Sequence, residues 1–510
     1  MKRWGRAGGG FLFGLVLWSG MTLGGVDHAE GKGRLNILLI TVDCLRPDHM
    51  GLYGYDRDTT PHIDGFFRRA FRFPAYAQAS WTSPGVVSLL TGLSPPVHGM
   101  DLKGKQTSPW ADLPLKRLQQ AGYTTLGYVR DDNYSHLGWS GQVPRGKLIE
   151  TLESLRDRPF FIWYHYRGPH LPYRPPEPYR SRWFGAVPAP SSEALQAVSR
   201  GEMLPRGSAR LTAADAPAIR ALYDGEVAAQ DAELAGLFDY LRESGLAGRT
   251  VVVLSADHGE ELMEHGWVGH ASTSLDATVY EEVVRIPLLI RIPGLEGGWV
   301  PGVTAQQMDL VPTLFDILGL EPPEVQGKSL LPWIQGRGEE TEPEVFIETS
   351  PCGWQCPPSR FRERLAALRA GPWKLIEKRA GAQPEFTLYH LQADPAERED
   401  QSRRRPEVLR TLKKRLAALR QEYLERAFRR ARGLARAHLT AAREHLQQGK
   451  PARAAEELQA VRRLDRVYRL ENPAFPEEGS SAMRRAWRRV LEEAAALERR
   501  NPENTGGSHD

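Results

Sequence analysis

Hydrophobic positions in the first two thirds of the chain fall in short, nearly continuous runs separated by amphipathic stretches. Six runs have the length and composition of strands: Leu35–Asp43, Thr125–Arg130, Pro159–Tyr166, Thr250–Asp257, Ile286–Ile292 and Glu344–Glu348. Strands buried on both faces read as unbroken apolar runs, and Asn36–Val42 does. Between the runs, Ile219–Ser244 places Leu222, Val227, Leu234 and Leu237 at helical spacing. Alternating strands and helices predict an α/β fold, a doubly wound and mostly parallel sheet with helices on both faces. A Pro/Gly/Ser-rich stretch, residues 174–207, interrupts the pattern and reads as a surface insertion on the substrate side, a candidate lid.

The pattern changes twice towards the carboxyl end. Strand-like Trp373–Glu377 and Phe386–Leu391, followed by a helix after Arg405-Pro406, predict a small α+β subdomain over residues 341–420, after a catalytic domain over 34–340. From 421 to 500 the chain turns to Arg, Ala, Leu and Glu with helical periodicity. Ala442, Gly449, Ala454, Leu458 and Val461 match the spacing of one tetratricopeptide-like hairpin. A single repeat cannot bury its own face, so this region is expected to pack on the rest of the molecule, with its helices open to protein contact. Residues 501–510 read as a disordered tail.

The amino terminus carries Lys2, Arg3 and Arg6 ahead of an apolar run from Phe11 to Gly25, the pattern of a signal peptide or anchor over residues 1–29. A stable span needs ~20 apolar residues, so export to the periplasm or exterior is the expectation. A formal charge of +4, with no basic stripe interleaved with aromatics, excludes a nucleic-acid partner. In an exported chain, Cys352 and Cys356 in Cys-Gly-Trp-Gln-Cys have both a disulfide and two free thiols open to them.

Three segments carry candidate chemistry. A buried strand ending in Asp43 places a carboxylate at the carboxyl edge of the sheet, where ligand sites of such folds lie. Thr250–Ser255 ends in Ala-Asp257-His258-Gly-Glu260 and adds a carboxylate and an imidazole, a suitable set for a divalent cation. In Ser80-Trp-Thr82-Ser-Pro-Gly-Val-Val-Ser-Leu-Leu-Thr-Gly92 a hydroxyl stands where a helix begins, and a helix amino end favours an anion.

Together these segments resemble the sulfatases. Asp43-Cys-Leu-Arg-Pro-Asp-His-Met-Gly-Leu-Tyr-Gly54 with Thr60-Pro-His-Ile-Asp64 is similar to the family's amino-terminal signature. Ser83-Pro84 with Ser88-Leu-Leu-Thr-Gly92 is similar to its nucleophile motif, and Tyr164–Tyr173, Asp257–Glu260, Asp309–Thr313, Trp373–Ile376 and Leu388–Pro395 continue the likeness across about residues 34 to 420. The resemblance implies the alkaline phosphatase superfamily fold, cleavage of sulfate or phosphate esters, and one divalent metal held by Asp43, Thr82, Asp257 and His258. Zinc or manganese suits that set; calcium or magnesium would need more oxygen ligands.

Departures from the family reshape the expectation. Thr82 stands where sulfatases carry the Cys or Ser that is oxidised to formylglycine, and oxidation of a threonine would yield a ketone. Val86 replaces an Arg, Cys44 the second acid of an Asp-Asp pair, and Arg130 and Asp132 a Lys and a His. Thr82 is then itself the candidate nucleophile, as in the similar phosphoethanolamine transferases. His170 and His270 are candidate catalytic groups that contact the transferring group or protonate the leaving group, or else supply ligands to a second metal of the alkaline phosphatase kind. In related sequences an acid is common two residues before His170, where this chain has Gly168. Arg130, His165 and His265 are candidate substrate contacts. Three readings follow: a metal-dependent hydrolase or transferase, a true sulfatase working without formylglycine, and a degenerate protein that binds a glycan or lipid headgroup. The expected partner is a sulfated or phosphorylated small molecule, glycan or lipid headgroup.

Overall fold

The computed structural model describes residues 33–100, 113–128, 132–200, 209–273, 276–381, 383–469 and 481–501. The expected leader, Arg130 and residues 502–510 lie outside them. Fourteen strands are present among the described residues: β1 Asn36–Val42, β2 Phe71–Tyr76, β3 Thr124–Gly127, β4 Gly141–Gln142, β5 Phe160–Tyr166, β6 Thr250–Ser255, β7 Glu261–Leu262, β8 Val268–Gly269, β9 Arg285–Arg291, β10 Ala305–Gln306, β11 Glu344–Thr349, β12 Arg364–Ala370, β13 Trp373–Arg379 and β14 Glu385–His390.

Eight strands form the large sheet, in the order β10-β2-β9-β6-β1-β5-β3-β4. β9 runs antiparallel to both its neighbours, and the other pairings are parallel. This is the mostly parallel α/β sheet that the alternating pattern predicts. Side chains alternate across a strand. Ile37 and Leu39 accordingly meet Leu89, Leu90, Leu310 and Leu314 on one face, while Leu38 and Ile40 are equally buried on the other. β2 escapes the pattern because Pro74 argues against an interior strand. In the structure Pro74 stands directly opposite Pro287 of β9.

β11 to β14 form a separate antiparallel sheet. Val345 and Ile347 of β11 pack with Val279, Val283 and Val284 beside the large sheet. Phe346 turns to the other face and meets Leu412, Leu416 and Leu419. Those leucines belong to one helix, Pro406–Gln447. It runs unbroken through residues 420 and 421, so the boundary drawn there from composition is not a break in the structure. Arg420 is buried on this helix and ties it to the sheet through Glu348 at 2.7 Å and Glu377 at 2.5 Å.

Beyond it, Pro451–Arg469 and Ser481–Arg500 complete a three-helix cluster. Ala442, Ala454, Leu458 and Val461 are all buried in it. Met483, Trp487 and Leu497 of the third helix supply the cover that a lone hairpin lacks, and Leu93 and Val97 carry the contact to the catalytic region. Among the described residues no helix is long and apolar enough to cross a membrane.

Candidate active site at the carboxyl edge of the sheet

Strand register assembles the first half of the site. Thr41 of β1 pairs with His165 of β5 on one side and with Ser255 of β6 on the other. Asp43 and Asp257, each two residues on, therefore emerge side by side. The Asp43 N–H donates to Tyr166 O at 2.9 Å, which holds the strand end in place. Asp257 Oδ1 accepts the backbone N–H groups of Cys44 at 3.2 Å and His258 at 3.0 Å. Its other oxygen, Oδ2, is buried without a hydrogen-bond partner.

The helix Thr82–Thr91 brings the hydroxyl. Its approach depends on Gly85: a Cβ there would stand 2.4 Å from the Asp257 carbonyl oxygen, so only glycine lets the helix start close against the ligand segment. Thr82 Oγ1 then lies 3.4 Å from His258 Nε2. That nitrogen is 3.6 Å from Asp43 Oδ1 and 3.3 Å from Asp257 Oδ2. Three oxygen donors thus lie within 3.6 Å of one imidazole nitrogen, and Asp43 falls in two groups of donors close enough to share one ion, with Cys44 and His258 and with His165 and Asp257. Asp257 Oδ2 makes no hydrogen bond among the described residues and has the His258 ring 3.3 Å away, a buried charge that a cation would further compensate. The donor set suits a divalent cation.

The second half of the site consists of histidines and a thiol. His270 Nδ1 lies 2.7 Å from Glu260 Oε1, which leaves a buried Nε2 without a partner. His170 bonds the Leu171 carbonyl through Nδ1, and its ring meets that of His270 edge-on at 4.9 Å. Cys44 adopts a left-handed backbone, φ 60°, and its thiol donates to Asp43 Oδ1 at 3.2 Å. Gly168 is confined by its surroundings: at φ 55° a Cβ would lie 2.6 Å from Asp43 O, so no acidic side chain fits at that position.

Burial and charge act against each other here. Burial alone would raise the Asp43 carboxyl, but His170, His165 and His258 outweigh it and hold it well below the usual range. Burial would lower His258, yet Asp257 and Asp43 push it up to about 9. Burial, with His258 alongside, pulls His270 down to about 3, and burial pushes Glu260 up to about 7. Burial and Asp43 push the Cys44 thiol well up.

A cavity of about 530 Å³ opens over Thr82. Asp43, His165, His170 and His270 line it, together with aromatic side chains and the arginines Arg145 and Arg167. His165 lines the cavity 3.7 Å from Asp43 Oδ2, with its Nδ1 2.8 Å from the Thr41 hydroxyl.

Two expectations need correction. His265 does not line this cavity: it stacks on Tyr280 at 3.7 Å and lies 2.9 Å from Glu282, because the β7–β8 turn directs it towards the smaller sheet. The 174–200 stretch supplies no cavity wall either. It holds the helices Tyr179–Phe184 and Ser192–Ser199, and Tyr173 N donates to Val198 O at 2.8 Å. Glu260, Trp354, Arg145 and Arg167 were not singled out from sequence. Glu260 ends the Asp-His-Gly-Glu run, and Trp354 lies inside the Cys-Gly-Trp-Gln-Cys segment, whose cysteines form a disulfide.

A mostly parallel sheet whose carboxyl edge gathers two carboxylates, an imidazole and a helix-start hydroxyl defines a class of ester-cleaving α/β enzymes. The chain matches the sulfatase model over residues 35–320 and the N-sulphoglucosamine sulphohydrolase C-terminal model over residues 264–422. It belongs to the sulfatase family, within the alkaline phosphatase superfamily. It is 24% identical over 477 residues to the N-acetylglucosamine-6-O-sulfatase of Bacteroides thetaiotaomicron, spanning 72% of this chain and 82% of that protein. With the arylsulfatase K of Mus musculus it shares 26% identity over 333 residues, 59% of this chain and 57% of that one. The phosphonate monoester hydrolase of Agrobacterium radiobacter superposes with a TM-score of 0.59 at 21% identity, over 77% of this chain and 96% of the other, a likeness of fold.

Proposed function

We propose that this protein is an exported, metal-dependent hydrolase of sulfate or phosphate monoesters carried on a saccharide, with Thr82 as its nucleophile. The observation that carries the proposal is the convergence of Thr82 Oγ1, Asp43 Oδ1 and Asp257 Oδ2 on His258 Nε2 at 3.3–3.6 Å. The saccharide part draws on the name of one relative, an N-acetylglucosamine-6-O-sulfatase matched over 72% of this chain.

Asp43, Asp257, His258 and Thr82 would hold the cation, with zinc or manganese favoured by the donor set. When bound, a divalent ion lowers the pKa of a neighbouring hydroxyl and neutralises charge on the transferring oxygens. With the cation in place Thr82 loses its proton to solvent through the cavity that opens over it, and Oγ1 forms a bond to sulfur or phosphorus as the bond from that atom to the leaving oxygen breaks, to return as the alkoxide when the ester is cleaved. The amino end of Thr82–Thr91 faces the developing negative charge. His170 contacts the transferring group. His270 donates to the leaving oxygen through Nε2. Glu260, raised towards neutral pH by burial, keeps a second proton on the Glu260–His270 pair, so that Nε2 carries hydrogen. Water then cleaves the Thr82 ester, and the pair regains its proton.

One feature favours a second reading, a binding protein without turnover: Val86 is fully buried where the family places an Arg, so that cation is absent from the sulfate cradle. One assay separates the readings. Purified protein is tested on sulfate, phosphate and phosphonate monoesters, with and without chelator, beside Thr82→Ala. Turnover abolished by both chelator and Thr82→Ala supports hydrolysis. Inactivity on every ester, with saccharide binding intact, supports the binding reading and ends the hydrolase proposal.

A further inference from the structure

The segment between β11 and β12 reaches from the smaller sheet into the active-site cavity. Cys352 and Cys356 close a loop there, and Trp354 at its middle forms part of the cavity wall. Two contacts seat the loop on the reacting segments. The Trp354 N–H donates to Ser272 Oγ at 2.9 Å, two residues beyond His270. The indole packs with Ala271, Ala277 and Trp81, the last of these adjoining Thr82. Gly353 is at φ 48°, and a Cβ there would lie 2.3 Å from Ser272 Oγ, so the loop fits only with glycine at that position. Ser272 itself is held at φ 87°, a conformation that non-glycine residues adopt only under constraint.

We infer that Trp354 is the platform on which the pyranose ring bearing the ester lies, and that the Cys352–Cys356 bridge holds that platform in place. The inference rests on the hydrolase reading for its ester and adds the ring that carries it. An indole face gives a large apolar contact at little entropic cost, and aromatic walls with a few polar groups are the usual make-up of a small-ligand site. The walls also carry Arg145, Arg167, Gln230, Glu233 and Ser272. Those groups have no partner on a bare aryl ring, whereas a saccharide offers hydroxyls all around its edge.

The test compares wild type, Trp354→Ala, Trp354→Phe and the double variant Cys352→Ser/Cys356→Ser on N-acetylglucosamine 6-sulfate, the matching 6-phosphate and a short alkyl sulfate without a ring. Trp354→Ala is expected to raise KM for the sugar ester about tenfold and leave kcat within about twofold, with Trp354→Phe restoring most of the loss. The double variant should show the same KM change, and the ringless ester no change in any variant. An equal loss on ringed and ringless esters, or no loss, overturns the inference. Calorimetric binding of the sugar ester to metal-loaded Thr82→Ala protein, with and without Trp354→Ala, reads the same contact without turnover. If no ester is hydrolysed, the hydrolase reading fails, while binding about tenfold weaker without Trp354 still supports the platform. Equal binding, or no binding to the parent, overturns it.

Discussion

The two halves of the active site are built in opposite ways. The half proposed to hold the metal, the ligand half, comes from two adjacent strand ends and one helix start, fixed by register and by a glycine contact against the Asp257 carbonyl. The wall half is assembled from separated segments that include Arg145, Arg167, Glu233 and Trp354, the last delivered by the smaller sheet. Metal chemistry demands placement to a few tenths of an ångström, which regular elements provide. Substrate choice is carried by loops on that scaffold, which change without disturbing it.

If the ligand half is the catalytic one, damage there should be far more severe than damage to the walls. Thr82→Ala should lower kcat/KM by about 10³-fold or more while losing less metal than Asp257→Asn, since three of the four proposed ligands, both carboxylates among them, remain. Asp257→Asn should lose both activity and metal, measured by elemental analysis after dialysis. A large metal loss in Thr82→Ala would instead make the threonine chiefly a ligand. Gly85→Ala sharpens the point, because it touches no reacting atom. Its methyl would push the helix start off the Asp257 carbonyl, and a displacement of about 1 Å is expected to cost about 10²-fold in kcat.

The wall half depends on the smaller sheet staying docked. Arg420→Ala leaves Glu348 buried without its arginine and Glu377 with Arg379 alone, 3.0 Å away, so unfolding stability should fall by about 3 kcal/mol in a denaturant titration. Metal affinity of the folded fraction should not change. A fall in affinity would mean that the two halves are coupled.

The smallest effect concerns pH. Asp309 is buried at the start of Leu310–Ile317, and its oxygens accept the N–H groups of Gln306 and Lys328 at 2.8 and 2.7 Å. Burial pushes its carboxyl up to about 7 from 3.8. A raised carboxyl keeps its proton in the folded state after the unfolded chain has lost it. Its contribution is therefore complete below about pH 4 and declines as pH rises to about 7. Thermal unfolding across that window should show a decline that Asp309→Asn reduces. An unchanged slope would remove Asp309 as its source.

The strand ends that carry Asp43 and Asp257 were legible in the sequence because each closes an apolar run. An apolar run ending in an acid marks a buried strand with a carboxylate at its edge, and Asn36–Val42 and Thr250–Ser255 both read that way. β2 was hidden by Pro74, a local signal overruled by its pairing with β9. The walls have no such periodicity. Trp354 lay within a segment noticed only for its cysteines, and nothing in the 174–207 composition indicated that residues 174–200 would fold against Tyr173 and away from the cavity. His265 misled because its neighbours in sequence are site residues, while a two-strand turn sends the ring elsewhere.

The central claim is that Thr82 carries the transferring group. Acid-quenched turnover of metal-loaded protein, followed by mass spectrometry of the Thr82 peptide, tests it most directly. The account predicts the mass of one sulfuryl or phosphoryl group on Thr82, present during turnover and absent after chelation. Full turnover with Thr82 unmodified at every quench time would contradict it.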